Sequence, residues 1–204
     1  MISLKKQWDE YWKGREVKTT INKERMMEVL KRHVKGKVLD VGCGSGFFSK
    51  FFTDMNCKVF SLDYANEPLK LTGSLDKEIK LIKGNVLRAP FEDETFDLIF
   101  SDGLLEHYKN PISLVHKFAK LVKEGGIVAT FVPNLISYWI FIKRFKLGKI
   151  KEYRFGLNKL IDMHEKSGLK IIESGGLSTF PLKVSPEFLA KHIGRIIYVI
   201  AKKV

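Results

Sequence analysis

Hydrophobic and polar residues follow two regular patterns along the chain, one typical of helices and one typical of buried strands. Residues 1–35 place apolar and aromatic side chains among charged ones at helical spacing, which predicts one or two amphipathic helices. Beyond them, short apolar runs alternate with helix-like segments. The runs predicted to form the first five strands are 38–41, 58–62, 79–82, 96–101 and 127–132.

The alternation of strands and helices predicts an α/β fold, a Rossmann-like doubly wound sheet with helices on both faces. Residues 169–173 and 195–201 are expected to add the last two strands. The Gly-Gly pair at 175–176 and the loop after it would let these two strands pair antiparallel. The sheet is therefore expected to be mostly parallel with an antiparallel final strand.

The chain has 204 residues, which is the length of a single domain. Residues 1–35 would form its helical cap, and residues 135–158 a lid inserted after the fifth strand. A hydrophobic content of 45% excludes a disordered chain. Cys43 and Cys57 are too few for a disulfide framework, and no apolar run approaches the roughly 18 residues of a membrane span. We therefore expect a cytoplasmic protein.

The net charge of +13 is unevenly distributed along the chain. Residues 38–142 contain 11 basic and 13 acidic side chains, whereas the segments on either side are basic. Such a division favours an anionic partner for the flanks, such as RNA or an anionic membrane surface. A Lys-rich surface of the thermophile type explains the same charge without a partner, and the single glutamine, Gln7, agrees with it.

A glycine-rich turn, residues 42–46, follows the first predicted strand. Its alternate glycines let a ligand approach the backbone at the sheet edge where open α/β folds bind ligands. Phe47 replaces the third glycine of the dinucleotide fingerprint, which argues against NAD, and no phosphate-binding Gly-Lys-Ser/Thr triplet follows. Asp40, Asp63 and Asn85 lie at or just after the ends of three strands. A carboxylate at Asp63 can accept both hydroxyls of a ribose.

Together these motifs resemble the class I S-adenosylmethionine-dependent methyltransferases of the type 11-like group, over about residues 38–203. The segment 96–107, FDLIFSDGLLEH, and the final strand at 196–203 are also similar to the family's pattern. The resemblance implies a methyltransferase with S-adenosylmethionine as its cofactor. It implies a cofactor site made of Asp40, Gly42, Cys43, Gly44, Gly46, Asp63, Tyr64, Asn85, Val86 and Ser101.

The resemblance also implies how these residues divide their roles. Residues 40–46 would lie under the methionine part of the cofactor, Asp63 would hold the ribose, and Tyr64 would lie near the adenine. Asn85 stands where the family usually has an aspartate that touches the adenine amino group.

Methyl transfer is an in-line displacement in which positioning supplies most of the rate. His107, which follows the fourth strand, is the candidate for a general base; alternatively, Glu106 and His107 only orient the loop. Some quinone-pathway relatives bind a divalent metal with a Glu-x-x-Glu-His segment. Because Gly103 occupies its first position here, no metal is expected.

A missing motif and a predicted lid limit the possible classes of methyl acceptor. Methylation of DNA base amino groups is disfavoured because the Asn/Asp-Pro-Pro-Tyr/Phe segment is absent. The aromatic residues expected to line the lid are Tyr11, Trp12, Tyr138 and Trp139. We expect transfer to a small-molecule or lipid-like, amphipathic acceptor, with peripheral contact to an anionic membrane. The alternatives are an RNA methyltransferase that uses the basic flanks and a non-catalytic S-adenosylmethionine-binding protein.

Overall fold

The computed structural model describes residues 4–135, 137, 152–177, 190–191 and 193–204. Strands and helices alternate through most of this part of the chain. Its strands are β1 (Lys37–Val41), β2 (Lys58–Asp63), β3 (Lys80–Lys83), β4 (Phe96–Asp102), β5 (Val122–Pro133), β6 (Leu169–Leu177) and β7 (Ile196–Lys203). Its α-helices are α1 (Leu4–Trp12), α2 (Ile21–Leu30), α3 (Phe47–Asp54), α4 (Asn66–Leu75), α5 (Ile112–Leu121) and α6 (Leu157–Glu165). Short 3₁₀ turns occupy Val86–Arg88 and Leu105–His107.

The strands form one seven-stranded sheet in the order β3-β2-β1-β4-β5-β7-β6. The first five strands pair in parallel, and β7 runs antiparallel to both β5 and β6. The predicted fold class is therefore confirmed, including the antiparallel final strand.

Both faces of the sheet are buried, because side chains of successive strand residues point to opposite sides. On one face, Leu39 belongs to a core cluster that includes Phe118 of α5. On the other face, Val38 packs in a cluster with Phe52 of α3 and Phe100 of β4. The two clusters fix the sheet between two helical layers, and the carboxyl ends of the parallel strands meet at one edge.

Two strands, β5 and β6, are longer than predicted by several residues. Strand β5 begins at Val122, so that Gly125 and Gly126 lie within it, and the ladder between β4 and β5 is irregular between Phe96 and Leu98. Strand β6 continues to Leu177 and includes the Gly-Gly pair, which lies beyond the predicted strand end at residue 173. In β6, pairing with Tyr198 and Ile197 of β7 outweighs the low strand preference of glycine at 175 and 176.

The N-terminal segment, predicted to form one or two amphipathic helices, contains α1 and α2. Helix α1 lies against the amino end of α4, where Asp9 Oδ1 accepts hydrogen bonds from the backbone N–H groups of Asn66 (2.7 Å) and Glu67 (3.0 Å). The N-cap residue of α4, Ala65, supplies no side-chain hydrogen bond. Asp9 therefore caps α4 from another helix and holds α1 beside the carboxyl edge of the sheet.

Most of the predicted lid, including Tyr138 and Trp139, lies outside the described residues. Within the described ranges, no helix is long and apolar enough to cross a membrane.

The contact between Gly46 and α4 yields a prediction for stability. Gly46 has φ +75°, and a Cβ there would lie 2.7 Å from the Thr72 hydroxyl oxygen and 2.8 Å from Thr72 Cα. Gly46→Ala should lower the free energy of unfolding by about 2 kcal/mol or more, because it combines left-handed backbone strain with a backbone clash. Urea unfolding monitored by circular dichroism measures the change.

Gly84→Ala is the matched control. Its φ is not in the left-handed region, and its Cβ would have no described atom within 4 Å. Its effect should stay within about 0.5 kcal/mol. Equal stability of the two variants would contradict the packing that we describe at Gly46.

Candidate functional site

The strand order reverses between β1 and β4, since β2 and β3 extend the sheet to one side and β4 and β5 to the other. In open α/β sheets, ligands bind in the crevice at such a reversal, outside the carboxyl ends of the strands. The glycine-rich turn leaves β1 at this point, and Asp63 ends β2 beside it.

The turn is held against β2 by its own backbone. The N–H groups of Gly42 and Cys43 donate to the carbonyl oxygen of Leu62, at 2.8 and 3.2 Å. Trp12 of α1 covers the other side, because a Cβ at Gly44 would lie 2.8 Å from the Trp12 ring. The absence of a side chain at Gly44 thus allows an aromatic ring to touch the backbone of the turn.

Asp63 is fixed in its orientation by two backbone hydrogen bonds. Its Oδ2 accepts from Gly44 N–H at 3.3 Å, and its Oδ1 accepts from Ala65 N–H at 2.9 Å. Burial raises the pKa of the Asp63 carboxyl, while these backbone N–H groups oppose the rise. The side chain is thereby held at the rim of a cavity that opens at the end of β2.

This first cavity, which we call the aromatic cavity, has a volume of about 360 Å³. Residues that define it include Trp8, Trp12, Asp63, Tyr64, Asn85 and Tyr108. Tyr64 is 47% exposed, whereas Val86 in the same wall is buried. Asn85 Oδ1 accepts a hydrogen bond from Leu87 N–H at 3.0 Å, so its amide NH₂ group is its remaining donor at this cavity.

A second cavity, the turn cavity, has a volume of about 570 Å³ and lies on the other side of Trp12. Residues that define it include Arg15, Lys18, Lys23, Asp40, Gly42 and Gly44. Cys43 also lines it, and its thiol lies 3.4 Å from the hydroxyl of Thr72. Burial raises the pKa of the Cys43 thiol well above its usual value, as expected for a structural cysteine rather than a nucleophile.

Asp40 is buried at the inner end of the turn cavity. Ser49 donates to Asp40 Oδ2 at 2.5 Å, and Ser61 donates to the Ser49 hydroxyl oxygen at 2.7 Å. Burial raises the pKa of Asp40 to about 7, although the hydrogen bond from Ser49 opposes this change. Charges on Asp102 and Asp63 raise it further.

A third cavity, the basic cavity, has a volume of about 350 Å³ and opens between α2 and the ends of β5 and β7. Residues that define it include Asn22, Lys23, Asp102, Asn134, Arg154 and Arg195. Tyr11, a predicted lid residue, lines this cavity, whereas Trp12 lines the other two.

Asp102, at the end of β4, lines all three cavities. Burial raises the pKa of Asp102 to about 6, and the positive charge of Lys23 opposes this rise. Burial in turn lowers the pKa of Lys23, and Asp102 opposes that change. The junction of the cavities therefore carries one carboxyl group whose charge changes near neutral pH.

Asp102 is not among the predicted cofactor residues, whereas its neighbour Ser101 is. Ser101 lines none of the three cavities and is fully buried. The strand continues one residue further than predicted, and alternation along β4 turns Asp102 to the cavities and Ser101 to the opposite face. Leu98, Phe100 and Asp102 occupy alternate positions and so share one face of β4, the face of the cluster that contains Leu98 and Phe100. This alternation is the signal that could have identified Asp102.

Eight of the ten residues predicted for the cofactor line the aromatic or the turn cavity; the other two are Ser101 and Gly46. Gly46 instead allows α3 to pack against Thr72. His107 lines the aromatic cavity, where its ring makes an edge contact with Trp8 at 4.8 Å. His107 Nε2 lies 3.8 Å from Glu106 Oε1.

No group of three or more His, Cys, Asp and Glu side chains with metal-binding geometry occurs among the residues that the structure describes.

Comparison with known proteins agrees with this fold. A family model described as a methyltransferase domain matches residues 39–130. A ubiquinone biosynthesis O-methyltransferase of Pseudoalteromonas translucida is 31% identical over 161 residues, which cover 72% of this chain and 68% of the relative. An uncharacterized protein of Methanocaldococcus jannaschii is 29% identical over 153 residues, covering 72% of each chain. The crystal structure of an S-adenosylmethionine-dependent methyltransferase from Mesorhizobium loti has a TM-score of 0.71 at 15% identity, covering 88% of this chain and 96% of that chain.

The doubly wound sheet, the glycine turn and these matches define the protein as a Rossmann-like methyltransferase. The chain belongs to the class I S-adenosylmethionine-dependent methyltransferase family, and S-adenosylmethionine is its cofactor. The family resemblance found in the sequence is thereby confirmed.

The burial of Asp40 predicts how stability depends on pH. Its pKa is about 3.9 in an unfolded chain and about 7 in the folded protein, so the folded state binds the extra proton between these values. The free energy of unfolding should therefore fall as the pH rises from about 4 to about 7. Asp40→Asn keeps an acceptor for Ser49 and should flatten this fall, leaving the variant more stable at pH 8 by roughly 2 to 4 kcal/mol.

Urea unfolding at pH 5 and pH 8 measures the difference. Asp54→Asn, at an exposed carboxyl, is the control and should keep the wild-type pH dependence. An Asp40→Asn variant with the same pH dependence as wild type would show that Asp40 is charged at no cost in the folded protein.

Proposed function

We propose that the protein transfers the methyl group of S-adenosylmethionine to a small-molecule or amphipathic acceptor that enters through the basic cavity. The observation that supports this most strongly is the meeting of three cavities at Asp102. Two of them contain the residues expected to hold the cofactor, and the third is left for an acceptor.

The residues of the two cofactor cavities fit the parts of S-adenosylmethionine. Asp63 would accept hydrogen bonds from the ribose hydroxyls, and Tyr64 and Asn85 would contact the adenine in the aromatic cavity. Arg15, Lys18 and Lys23 line the turn cavity together with three acidic residues, and a basic side chain among them would pair with the methionine carboxylate. When bound, S-adenosylmethionine supplies a methyl group on a sulfonium ion.

The protein's contribution to the reaction is mainly positioning. Trp12 lies on Gly44 and Asp9 anchors α1 to α4, so α1 covers the turn and limits the access of water. Asp102 lies between the cofactor cavities and the basic cavity, where a carboxylate can accept a proton from an acceptor hydroxyl or amine. His107 in the aromatic cavity is the second candidate for this role.

The role of Asp63 can be tested by cofactor binding. Asp63→Ala should weaken the binding of S-adenosylhomocysteine by about 30-fold or more, because it removes charge-assisted hydrogen bonds to the ribose. Isothermal titration calorimetry measures the affinity, and the exposed Asp54→Ala serves as the control. Equal affinity of the two variants would place the ribose elsewhere.

The two candidate bases can be separated by their pH–rate profiles. If Asp102 is the base, kcat/KM should rise with pH through about 6, since the charged carboxylate is the form that accepts a proton. Asp102→Asn should lower kcat by about 100-fold or more and remove this rise, whereas His107→Gln should keep it. The reverse pattern would assign the base to His107.

The acceptor class can be tested with S-adenosylmethionine labelled on its methyl group. The protein is incubated with a cell extract, which is then separated into organic-soluble, small aqueous, protein and nuclease-sensitive fractions. Label in either small-molecule fraction is the expected result. Label in the nuclease-sensitive fraction would instead support an RNA acceptor. The name of the ubiquinone biosynthesis O-methyltransferase relative mentions no RNA.

A further inference from the structure

The aromatic cavity and the turn cavity meet at a junction formed by few residues. Of the residues that the structure describes, four line both cavities: Trp12, Gly42, Gly44 and Asp102. Because glycine has no side chain, the side chains present at the junction are those of Trp12 and Asp102. A ligand that occupies both cavities therefore passes beside an indole ring and a carboxyl group.

The cofactor carries a positive charge in the part that would lie at this junction. The proposed function places its adenosine in the aromatic cavity and its methionine part in the turn cavity. The sulfonium sulfur joins these two parts, so it is the atom that falls at the junction. After methyl transfer the same sulfur is a neutral thioether, that of S-adenosylhomocysteine. Cofactor and product thus differ in charge where Trp12 and Asp102 line the site.

The Trp12 ring approaches the glycine turn with its edge. A Cβ at Gly44 would lie 2.8 Å from Cζ2 and 2.9 Å from Cη2 of the ring, but 3.7 Å from Cε2. The ring lines a cavity on each side, so we place its faces toward the cofactor cavities. The face of an aromatic ring is the negative part of its quadrupole, and the indole face attracts cations most strongly.

Two basic side chains of the turn cavity have other aromatic partners. Arg15 Cζ lies 3.8 Å from the centroid of the Tyr11 ring but 5.8 Å from that of Trp12, which is near the outer limit of a cation–π contact. Lys23 Nζ lies 4.3 Å from the centroid of the Phe47 ring. These contacts leave the Trp12 ring able to attract a bound cation.

We propose that Trp12, together with Asp102, recognises the positive charge of the sulfonium and so distinguishes S-adenosylmethionine from S-adenosylhomocysteine. The ring attracts the cation through its face and the carboxylate attracts it through its charge. Both attractions are lost with the methyl group, which weakens the binding of the product relative to that of the cofactor. This inference rests on the cofactor placement of the proposed function, adds a specificity-determining residue to that site, and is independent of the acceptor.

The test compares affinities for the charged and the neutral form of the cofactor. Isothermal titration calorimetry at pH 7.5, without an acceptor, measures the Kd of S-adenosylmethionine and of S-adenosylhomocysteine. Trp12→Leu should lower the ratio of the two affinities by about tenfold, because it removes an attraction that only the cation experiences. Trp12→Phe should keep part of the ratio, since a phenyl face attracts cations less strongly than an indole face.

Trp8→Leu is the matched control. Trp8 lies one turn earlier in α1 and lines the aromatic cavity but not the turn cavity. Its loss should weaken both ligands by the same factor and leave the ratio unchanged. Asp102→Asn should lower the ratio as Trp12→Leu does, because the Asp102 pKa of about 6 leaves the carboxyl group charged at pH 7.5.

A third ligand separates the charge from the size of the methyl group. Sinefungin carries an amine-bearing carbon in place of the sulfonium, and its protonated amine supplies a positive charge without a sulfonium methyl group. Its affinity should fall with that of S-adenosylmethionine in Trp12→Leu. If sinefungin instead followed S-adenosylhomocysteine, contact with the methyl group would explain the preference, and charge recognition would be overturned.

The remaining outcomes separate this inference from the proposed function. Equal losses of affinity for both forms of the cofactor in Trp12→Leu would assign Trp12 to covering the turn and overturn the inference. A ratio lowered as much by Trp8→Leu would overturn it too. In both cases weakened binding by Asp63→Ala would leave the proposed cofactor placement standing. Wild-type affinity of Asp63→Ala for both ligands would instead overturn that placement, and the inference with it.

Discussion

The backbone of the turn between β1 and α3 is approached from two sides more closely than a side chain would permit. Trp12 touches it at Gly44, and Thr72 of α4 touches it at Gly46. These contacts fix α1 and α4 relative to the carboxyl edge of the sheet, and Asp9 links the same two helices by capping α4. The cavities exist because small residues in one turn let two helices close around it.

Charged side chains line the cavities that this packing creates. Asp63 ends β2 and Asp102 ends β4, the strands on either side of β1, and burial raises the pKa of both carboxyls. Lysine and arginine side chains also line the turn cavity and the basic cavity. Asp102, which lines all three cavities, places a negative charge where a cationic sulfonium can be accommodated.

Features that depend on short stretches of sequence could be predicted, and features that depend on distant contacts could not. The position of Asp63 could be found because an apolar run ends there, directly beside a glycine turn in a parallel sheet. The resemblance implies Ser101, but the next residue, Asp102, lines the cavities instead, because successive side chains along β4 point to opposite sides. The presence of Arg195 and Asn22 in one cavity could not be predicted, because it requires β7 to lie between β5 and β6.

The central claim is that the cofactor lies along the glycine turn with its reactive end at Asp102, facing the basic cavity. A crystal structure of the complex with S-adenosylhomocysteine tests it most directly. We expect the ribose hydroxyls within hydrogen-bond distance of Asp63, the adenine beside Tyr64, and the sulfur atom at the junction next to Asp102. An adenosine group outside the aromatic cavity, or a sulfur atom directed away from the basic cavity, would contradict the account.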